Sequence, residues 1–137
     1  MLFRSPAVAR KADLLKLSEE ELLNDLHINV VGAMTAVQAT VAVMEDAGSG
    51  KIFLTGGGYA LEPAPSYVSL GIGKAALRNL AFSLHAQLKP KHIHVATVTI
   101  CGMIHAEDDK YKPAAIAEQY WALYQQQEDA WEKEIVY

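Results

Sequence analysis

The sequence has little cysteine and no excess of positive charge, and each absence excludes a class of protein. A single cysteine, Cys101, cannot form an internal disulfide, which fits a reducing compartment. The 12 Lys and Arg residues are outnumbered by 16 Asp and Glu residues, so the formal net charge is −4 at pH 7. Because no basic stripe is present to neutralise a phosphate backbone, we expect no nucleic-acid partner.

We also expect no targeting signal in this sequence. The stretch from Met1 to Leu15 contains arginines and a proline where a signal peptide needs an unbroken apolar core, and no run of 18 apolar residues follows. We therefore expect no membrane partner and a cytoplasmic location. With 137 residues, of which 51% are apolar, the chain predicts one globular domain over residues 1–137.

Hydrophobic spacing predicts helices that alternate with strands. Ser18 and Glu21 form a capping box at the start of a long apolar helical pattern, and Ser66 is a candidate cap for a second helix. The predicted elements are a helix from about 18 to 46, a strand at 51–55, a helix at 67–88, a strand at 94–101, a helix from 113 to about 126 and a strand at 134–137.

This order of elements predicts an α/β fold, in which a parallel sheet carries helices on its faces. Such folds place their chemistry at the carboxyl ends of the strands. In this sequence those ends are the segments Gly56 to Gly58 and Cys101 to His105.

A glycine pattern lies at the start of the second long helix. The run from Gly71 to Ala76 matches the dinucleotide fingerprint G-x-G-x-x-G/A, but no convincing strand precedes it and no acidic residue stands where the ribose would need one. A phosphate loop is excluded as well, because Val68 and Ala75 occupy the positions of its first glycine and its hydroxyl. The pattern alone therefore does not establish a cofactor site.

Metal and thiol chemistry are the next candidates. The candidate metal ligands are His92, His94 and His105, but no sequence spacing fixes a set of three ligands among them and their neighbours. We therefore expect surface histidines rather than a metal site. Cys101 has no histidine at a diagnostic spacing and is predicted to be a buried free thiol. We expect no metal.

Four features in order resemble the second half of a short-chain dehydrogenase/reductase. They are the run Asn29-Val-Val-Gly32 inside the first helix, the strand 51–55 with its small-residue turn, Lys74-Ala-Ala-Leu77 at a helix entry, and Cys101-Gly-Met-Ile104 after a strand. The resemblance covers roughly residues 7 to 104. It implies a truncated Rossmann-like sheet, with the family's first strands and glycine-rich cofactor loop expected before Met1.

The resemblance also implies a site for an NAD(P) cofactor. Asn29 and Lys74 match the family's asparagine and lysine, whereas Gly57 and Leu70 stand at its serine and tyrosine positions. In the family the tyrosine transfers the hydroxyl proton, the lysine lowers its pKa and touches the nicotinamide ribose, and the asparagine holds a water. The implied cofactor-binding residues are Lys74, Gly102 and Ile104.

Tyr67 is a candidate replacement for the missing tyrosine. It precedes Lys74 by seven residues, which is about 10 Å along a helix and too far for a hydrogen bond. If Gly71 and Gly73 loosen the first turn, so that the helix proper starts near Gly73, Tyr67 folds back toward Lys74. Otherwise Tyr67 is a capping aromatic. Asn29 has two interpretations as well, a relay residue or a satisfied core amide.

Two functions follow from these residues. The first is an NAD(P)-dependent oxidoreductase acting on a carbonyl or secondary alcohol, inactive as this isolated chain. The alternative is a non-catalytic assembly module. Three strands would leave an exposed edge at 51–55, and the helices 18–46 and 67–88 are too apolar for solvent, so we expect a homodimer or larger homo-oligomer through those helices.

Overall fold

The computed structural model describes residues 1–4 and 6–137. Four strands and four α-helices form most of the described chain, with short 3₁₀ turns between them. The elements are β1 Leu2–Arg4, α1 Glu19–Leu26, a π-helical turn His27–Val31, α2 Gly32–Asp46, β2 Gly50–Thr55, α3 Val68–Leu88, β3 Ile93–Thr99, α4 Pro113–Gln125 and β4 Glu134–Val136.

The four strands form one parallel sheet in the order β1-β2-β3-β4. The predicted Rossmann-like α/β class is confirmed. The expectation of three strands with a bare edge at 51–55 is wrong, because β1 pairs along that edge with Leu2 opposite Ile52. The short run from Leu2 to Arg4 carries too little pattern to be recognised as a strand without its partner.

Helices cover both faces of the sheet. On one face, α2 and α3 pack Val37 and Leu77 against Ile52 and Val95. On the other face, α4 packs Ile116 and Leu123 against Phe53, Ala96 and Val98. Every residue of β3 is buried, which explains why its sequence is rich in β-branched residues and does not alternate between apolar residues and exposed polar ones.

The long N-terminal helix has the predicted ends but an irregular middle. The hydroxyl of Ser18 accepts a hydrogen bond from the Glu21 N–H, and the Glu21 carboxylate accepts one from the Ser18 N–H, so the capping box is confirmed. The π-helical turn His27–Val31 interrupts the helix around Asn29. Such turns are rare in proteins, but those that occur are often found at functional sites.

The entry of α3 differs from two predictions. The helix begins at Val68 with Tyr67 at the capping position, and no side chain makes a capping hydrogen bond, so Ser66 is not the cap. Gly71 and Gly73 lie inside regular helix, so the loosened first turn is wrong. Packing explains this result, because the missing side chain at Gly73 lets α3 lie directly against Asn29.

The end of β3 also corrects the sequence predictions. The strand ends at Thr99, two residues earlier than predicted, and Cys101 is exposed rather than buried. His94 is fully buried, which contradicts its assignment as a surface residue. Its ring stacks on Trp131 with the ring centres 4.8 Å apart, and this partner lies too far away in sequence for local spacing to indicate it.

Candidate functional site

Lys74 lies at the carboxyl end of β2. Its side chain is buried, and Nζ donates a hydrogen bond of 2.7 Å to the carbonyl oxygen of Thr55. Within residues 1–4 and 6–137, no carboxylate forms an ion pair with it. Burial lowers the pKa of Lys74 from 10.5 to about 8, because the charged form loses its hydration.

Asn29 clamps the segment that follows β1. Its Oδ1 accepts a hydrogen bond of 2.7 Å from the Val8 N–H, and its Nδ2 donates one of 3.3 Å to the Val8 carbonyl. The amide is almost completely buried. The oxygen and the nitrogen of the side-chain amide therefore both have a hydrogen-bond partner on the backbone of Val8. This agrees with the interpretation of Asn29 as a satisfied core amide.

Gly73 allows α3 to pack closely against Asn29. A Cβ atom at this position would come within 2.9 Å of the Asn29 Cβ, so only glycine allows this approach of α3 to the π-helical turn. Lys74 is the next residue on α3. The side chains of Asn29 and Lys74 bind different backbone groups, at Val8 and Thr55.

The two positions that the resemblance assigns to hydroxyl groups surround the lysine. A Cβ atom at Gly57 would lie 3.4 Å from Cγ and Cε of Lys74, which is ordinary contact. Leu70 is one helical turn before Lys74, about 6 Å along the axis. Neither glycine nor leucine can transfer a proton.

Tyr67 packs at the start of α3. Its ring stacks on Tyr59 with the ring centres 5.7 Å apart and the planes inclined by 16°. Since α3 is regular from Val68 onward, the seven residues that separate Tyr67 from Lys74 span about two turns. This placement supports the capping aromatic over the proton donor.

An ion-pair cluster beside the site was missed by the sequence reasoning. The buried carboxylate of Asp25 accepts hydrogen bonds from Arg10 Nε at 2.9 Å, Arg10 Nη2 at 3.1 Å and Ser69 Oγ at 2.7 Å. Arg10 and Ser69 hold the pKa of Asp25 below its usual value, although burial acts in the opposite direction. The signal in the sequence was an aspartate four residues before Asn29, one helical turn away on the same face.

Thr55 and Tyr120 form a second unpredicted pair. Their hydroxyls are 2.8 Å apart, and the carbonyl of the same Thr55 holds Lys74. Burial raises the pKa of Tyr120 to about 12. Tyr120 also lines an apolar cavity of about 280 Å³ together with Ile104 and Ile116.

The two predicted cofactor residues after β3 lie in different surroundings. Ile104 is half exposed and faces the apolar cavity. Gly102 lies under the ring of Tyr111, where a Cβ atom would come within 2.2 Å of that ring. In the part of the chain that the structure describes, no group of three or more His, Cys, Asp or Glu side chains is placed to hold a metal.

Comparison with known proteins identifies the family. The family model described as short chain dehydrogenase matches residues 1–115. The chain therefore belongs to the short-chain dehydrogenase family, as the ordered motifs predicted. It is 33% identical over 89 residues to human 17-beta-hydroxysteroid dehydrogenase type 1, a match that covers 65% of this chain and 27% of that protein. It is 30% identical over 82 residues to dehydrogenase/reductase SDR family member 4 of Pongo abelii, covering 60% and 30%.

Solved structures agree with the fold. A short-chain dehydrogenase from Rhodopseudomonas palustris superposes with a TM-score of 0.84 at 26% identity, over 99% of this chain and 61% of that one. An alcohol dehydrogenase from Thermococcus sibiricus, complexed with 5-hydroxy-NADP, gives 0.83 at 19% identity over 98% and 60%. The matches span less than a third of the length of the curated relatives and about three fifths of these structures.

Proposed function

We propose that this chain carries part of an NAD(P)-dependent oxidoreductase site for a carbonyl or secondary alcohol, and that the isolated chain does not turn over. The main support is the surroundings of Lys74. The lysine keeps its family position at the end of β2, whereas Gly57 and Leu70 replace the hydroxyl groups that would move the proton.

The residues proposed to bind the cofactor are Lys74, Gly102 and Ile104, and Asn29 and Lys74 are proposed to belong to the proton relay. A bound nicotinamide would supply or accept the hydride. The Lys74 ammonium has three donors and spends one on Thr55, so it has donors left for ribose hydroxyls. Asn29 holds the segment after β1 through Val8, and Ile104 lines an apolar cavity that would offer the cofactor an apolar contact.

A cofactor titration tests this proposal. NADH and NADPH are added up to millimolar concentration while the fluorescence of the reduced nicotinamide is followed. We expect saturable binding that Lys74→Ala abolishes. The matched control is Lys51→Ala, because the Lys51 ammonium binds the carbonyls of Tyr124 and Gln126 at the other end of β2.

Turnover is measured on the same samples with a panel of aldehydes, ketones and secondary alcohols. We expect no oxidation or reduction of the nicotinamide by the isolated chain. Measurable turnover would contradict the proposed loss of the proton donor. If Tyr67→Phe then removed that turnover, Tyr67 would be the replacement donor despite its stacking on Tyr59.

The apolar helix surface favours the assembly module as a second function. Ile28, Val31 and Met34 are 41%, 45% and 47% exposed at the junction of the π-helical turn and α2, and Ile72 on α3 is 44% exposed. The helix Glu19–Asp46 is long and apolar enough to cross a membrane, with a mean hydropathy of 1.5 and only 17% of that window buried. We propose that a second copy of the chain covers this surface, and that the assembly is cytoplasmic.

Sedimentation tests the assembly. We expect a dimer or larger oligomer that Met34→Glu converts to monomers, while Leu15→Glu, at a loop position that is 91% exposed, leaves it unchanged. A monomeric wild-type chain that floats with phospholipid vesicles would assign the apolar helix to a membrane instead. Oligomers without nicotinamide binding would favour the assembly module over the oxidoreductase.

A further inference from the structure

We propose that Lys74 forms an imine with small aldehydes at the carboxyl end of β2, a covalent activity that requires no nicotinamide. This activity goes beyond the oxidoreductase assignment. It rests on three features of the lysine: a buried amine, the lack of a counter-ion among the described residues, and a glycine, Gly57, beside the side-chain stem where the resemblance places a serine.

The surroundings of the amine favour its neutral form. Lys74 is 8% exposed, and its hydrogen bond is to the neutral carbonyl of Thr55 rather than to a carboxylate. Asp25, which belongs to the same part of the fold, is already bound by Arg10 and Ser69. A buried cation with one neutral acceptor is poorly compensated, so the proton is held weakly.

The pKa of about 8 agrees with this geometry. At pH 7 about a tenth of such an amine is neutral, against roughly 0.04% of an ordinary lysine, a difference of more than about 200-fold. Only the neutral amine is a nucleophile, and desolvation is a known way to activate lysine for imine formation.

The chemical step balances without an oxidant or a reductant. The nitrogen of Lys74 attacks the aldehyde carbon, and the carbonyl electron pair moves to oxygen, which takes a proton. The resulting carbinolamine loses water as the carbon–nitrogen double bond forms. The aldehyde oxygen and the two amine protons leave together as that water, and the imine remains on the side chain.

The space around the stem limits the aldehyde to a small one. Gly57 presents no side chain to Lys74, and a Cβ atom there would already touch Cγ and Cε at 3.4 Å. Leu70 offers no hydroxyl to occupy the amine. Since little of Lys74 is exposed, we expect short aliphatic aldehydes to reach Nζ and aromatic ones to be excluded.

Site-resolved reductive alkylation tests the proposal. The full chain is incubated with propanal and cyanoborohydride from pH 7 to 10, without nucleotide, and each lysine peptide is quantified by mass spectrometry. Cyanoborohydride donates a hydride to the imine carbon and water donates the proton to nitrogen, which fixes the adduct as a secondary amine. The reference is Lys16, whose side chain is 83% exposed.

We expect Lys74 to be modified at least about tenfold faster than Lys16 at pH 7. Its rate should level off above about pH 8, while the rate at Lys16 keeps rising. In denaturant, or with benzaldehyde in place of propanal, the preference for Lys74 should disappear. The expected factor is below the difference in neutral amine because burial slows the approach of the aldehyde.

The proposal is overturned if Lys74 stays unmodified while Lys16 reacts, or if its rate follows that of Lys16 across the pH range. A preference for Lys74 that persists in denaturant or with benzaldehyde would overturn it as well. The assay contains no nicotinamide, and the titration described above contains no aldehyde. Failure of one therefore leaves the other result standing.

Discussion

Two buried charged groups at α3, the carboxylate of Asp25 and the ammonium of Lys74, differ in whether a group of opposite charge binds them. The carboxylate of Asp25 receives two hydrogen bonds from Arg10 and one from Ser69. The ammonium of Lys74, five residues after Ser69 on the same helix, has a single bond to the neutral carbonyl of Thr55. The contrast teaches that burial alone does not set the state of a charge, because the partner decides whether burial is compensated.

The pKa shifts express this difference. The paired carboxylate has a lowered pKa, so its charged form is favoured in the folded chain. The pKa of Lys74 is also lowered, but for a lysine a lowered pKa means that the charged form is disfavoured. The ion pair of Asp25 therefore stabilises the fold at neutral pH. The burial of Lys74 lowers the stability of the fold and leaves a reactive amine.

The pH dependence of stability should show the largest effect. Between pH 8 and 10.5 the unfolded chain binds more protons at Lys74 than the folded chain does, so the free energy of unfolding rises with pH. The shift from 10.5 to about 8 sets an upper limit of about 3 kcal/mol for this rise. Lys74→Met should remove it, measured by urea unfolding across that range.

The control for this prediction is Lys16→Met, which changes an exposed lysine and should retain the wild-type pH curve. A Lys74→Met variant that still gains stability between pH 8 and 10.5 would show that the lysine is not the group responsible. Lys74 would then not be an uncompensated buried charge, and it would no longer differ from Asp25 in this respect.

Removal of the paired charge should have the next largest effect. Asp25→Asn keeps the shape but loses the charged acceptor, and we expect a loss of about 2 kcal/mol in the free energy of unfolding at pH 7. Because the folded pKa of Asp25 is lowered, this contribution is present above about pH 4 and is lost as the pH falls through the folded value. The difference in the free energy of unfolding between Asp25→Asn and the wild type should therefore disappear at acidic pH.

Asp13→Asn is the matched control, since the Asp13 side chain is 54% exposed and lies 3.9 Å from Lys16. We expect a change within about 0.5 kcal/mol, as for most exposed ion pairs. Equal losses in Asp25→Asn and Asp13→Asn would mean that burial of the carboxylate contributes nothing.

Two glycines on α3 give the smallest predicted effect, with opposite signs. Gly73→Ala places a Cβ atom 2.9 Å from the Asn29 Cβ, so overpacking should outweigh the helical preference of alanine by about 1 kcal/mol. At Gly71 the nearest atom is the Tyr59 carbonyl oxygen at 3.5 Å, so Gly71→Ala should stabilise the protein by up to about 1 kcal/mol. Thermal unfolding compares the pair.

This comparison tests whether the close contact between α3 and Asn29 holds the lysine region in place. If both variants stabilise the chain, the approach at Gly73 is loose and Asn29 does not position α3. If both variants destabilise the chain, a side chain at Gly71 does not fit in the regular helix next to Tyr59.

Periodicity and capping predicted the long elements because their signals are local. The capping box at Ser18, the apolar pattern up to Asp46 and the β-branched run of β3 are all confirmed. The strand β1 was missed because three residues carry no period, and only pairing with β2 makes them a strand. The π-helical turn around Asn29 was not predicted, because it has no sequence signature.

The candidate site was predicted only in part. Asn29 and Lys74 were singled out because their spacing and neighbours match a family, and their roles stay predictions; the polar pairs around them were not predicted. Arg10 lies 15 residues from Asp25, and Tyr120 lies 65 residues from Thr55, so no local pattern joins either pair. The stacking of Tyr67 on Tyr59 likewise depends on how a loop returns to α3.

By itself the sequence determined the class of fold, the ends of the main helices and the family. These follow from residue types and short spacings, which act locally. The tertiary structure alone decided that Asp25 is neutralised by Arg10, while Lys74 is buried with no counter-ion in the described part of the chain. That difference arises because folding removes water from both groups but brings an opposite charge to only one of them.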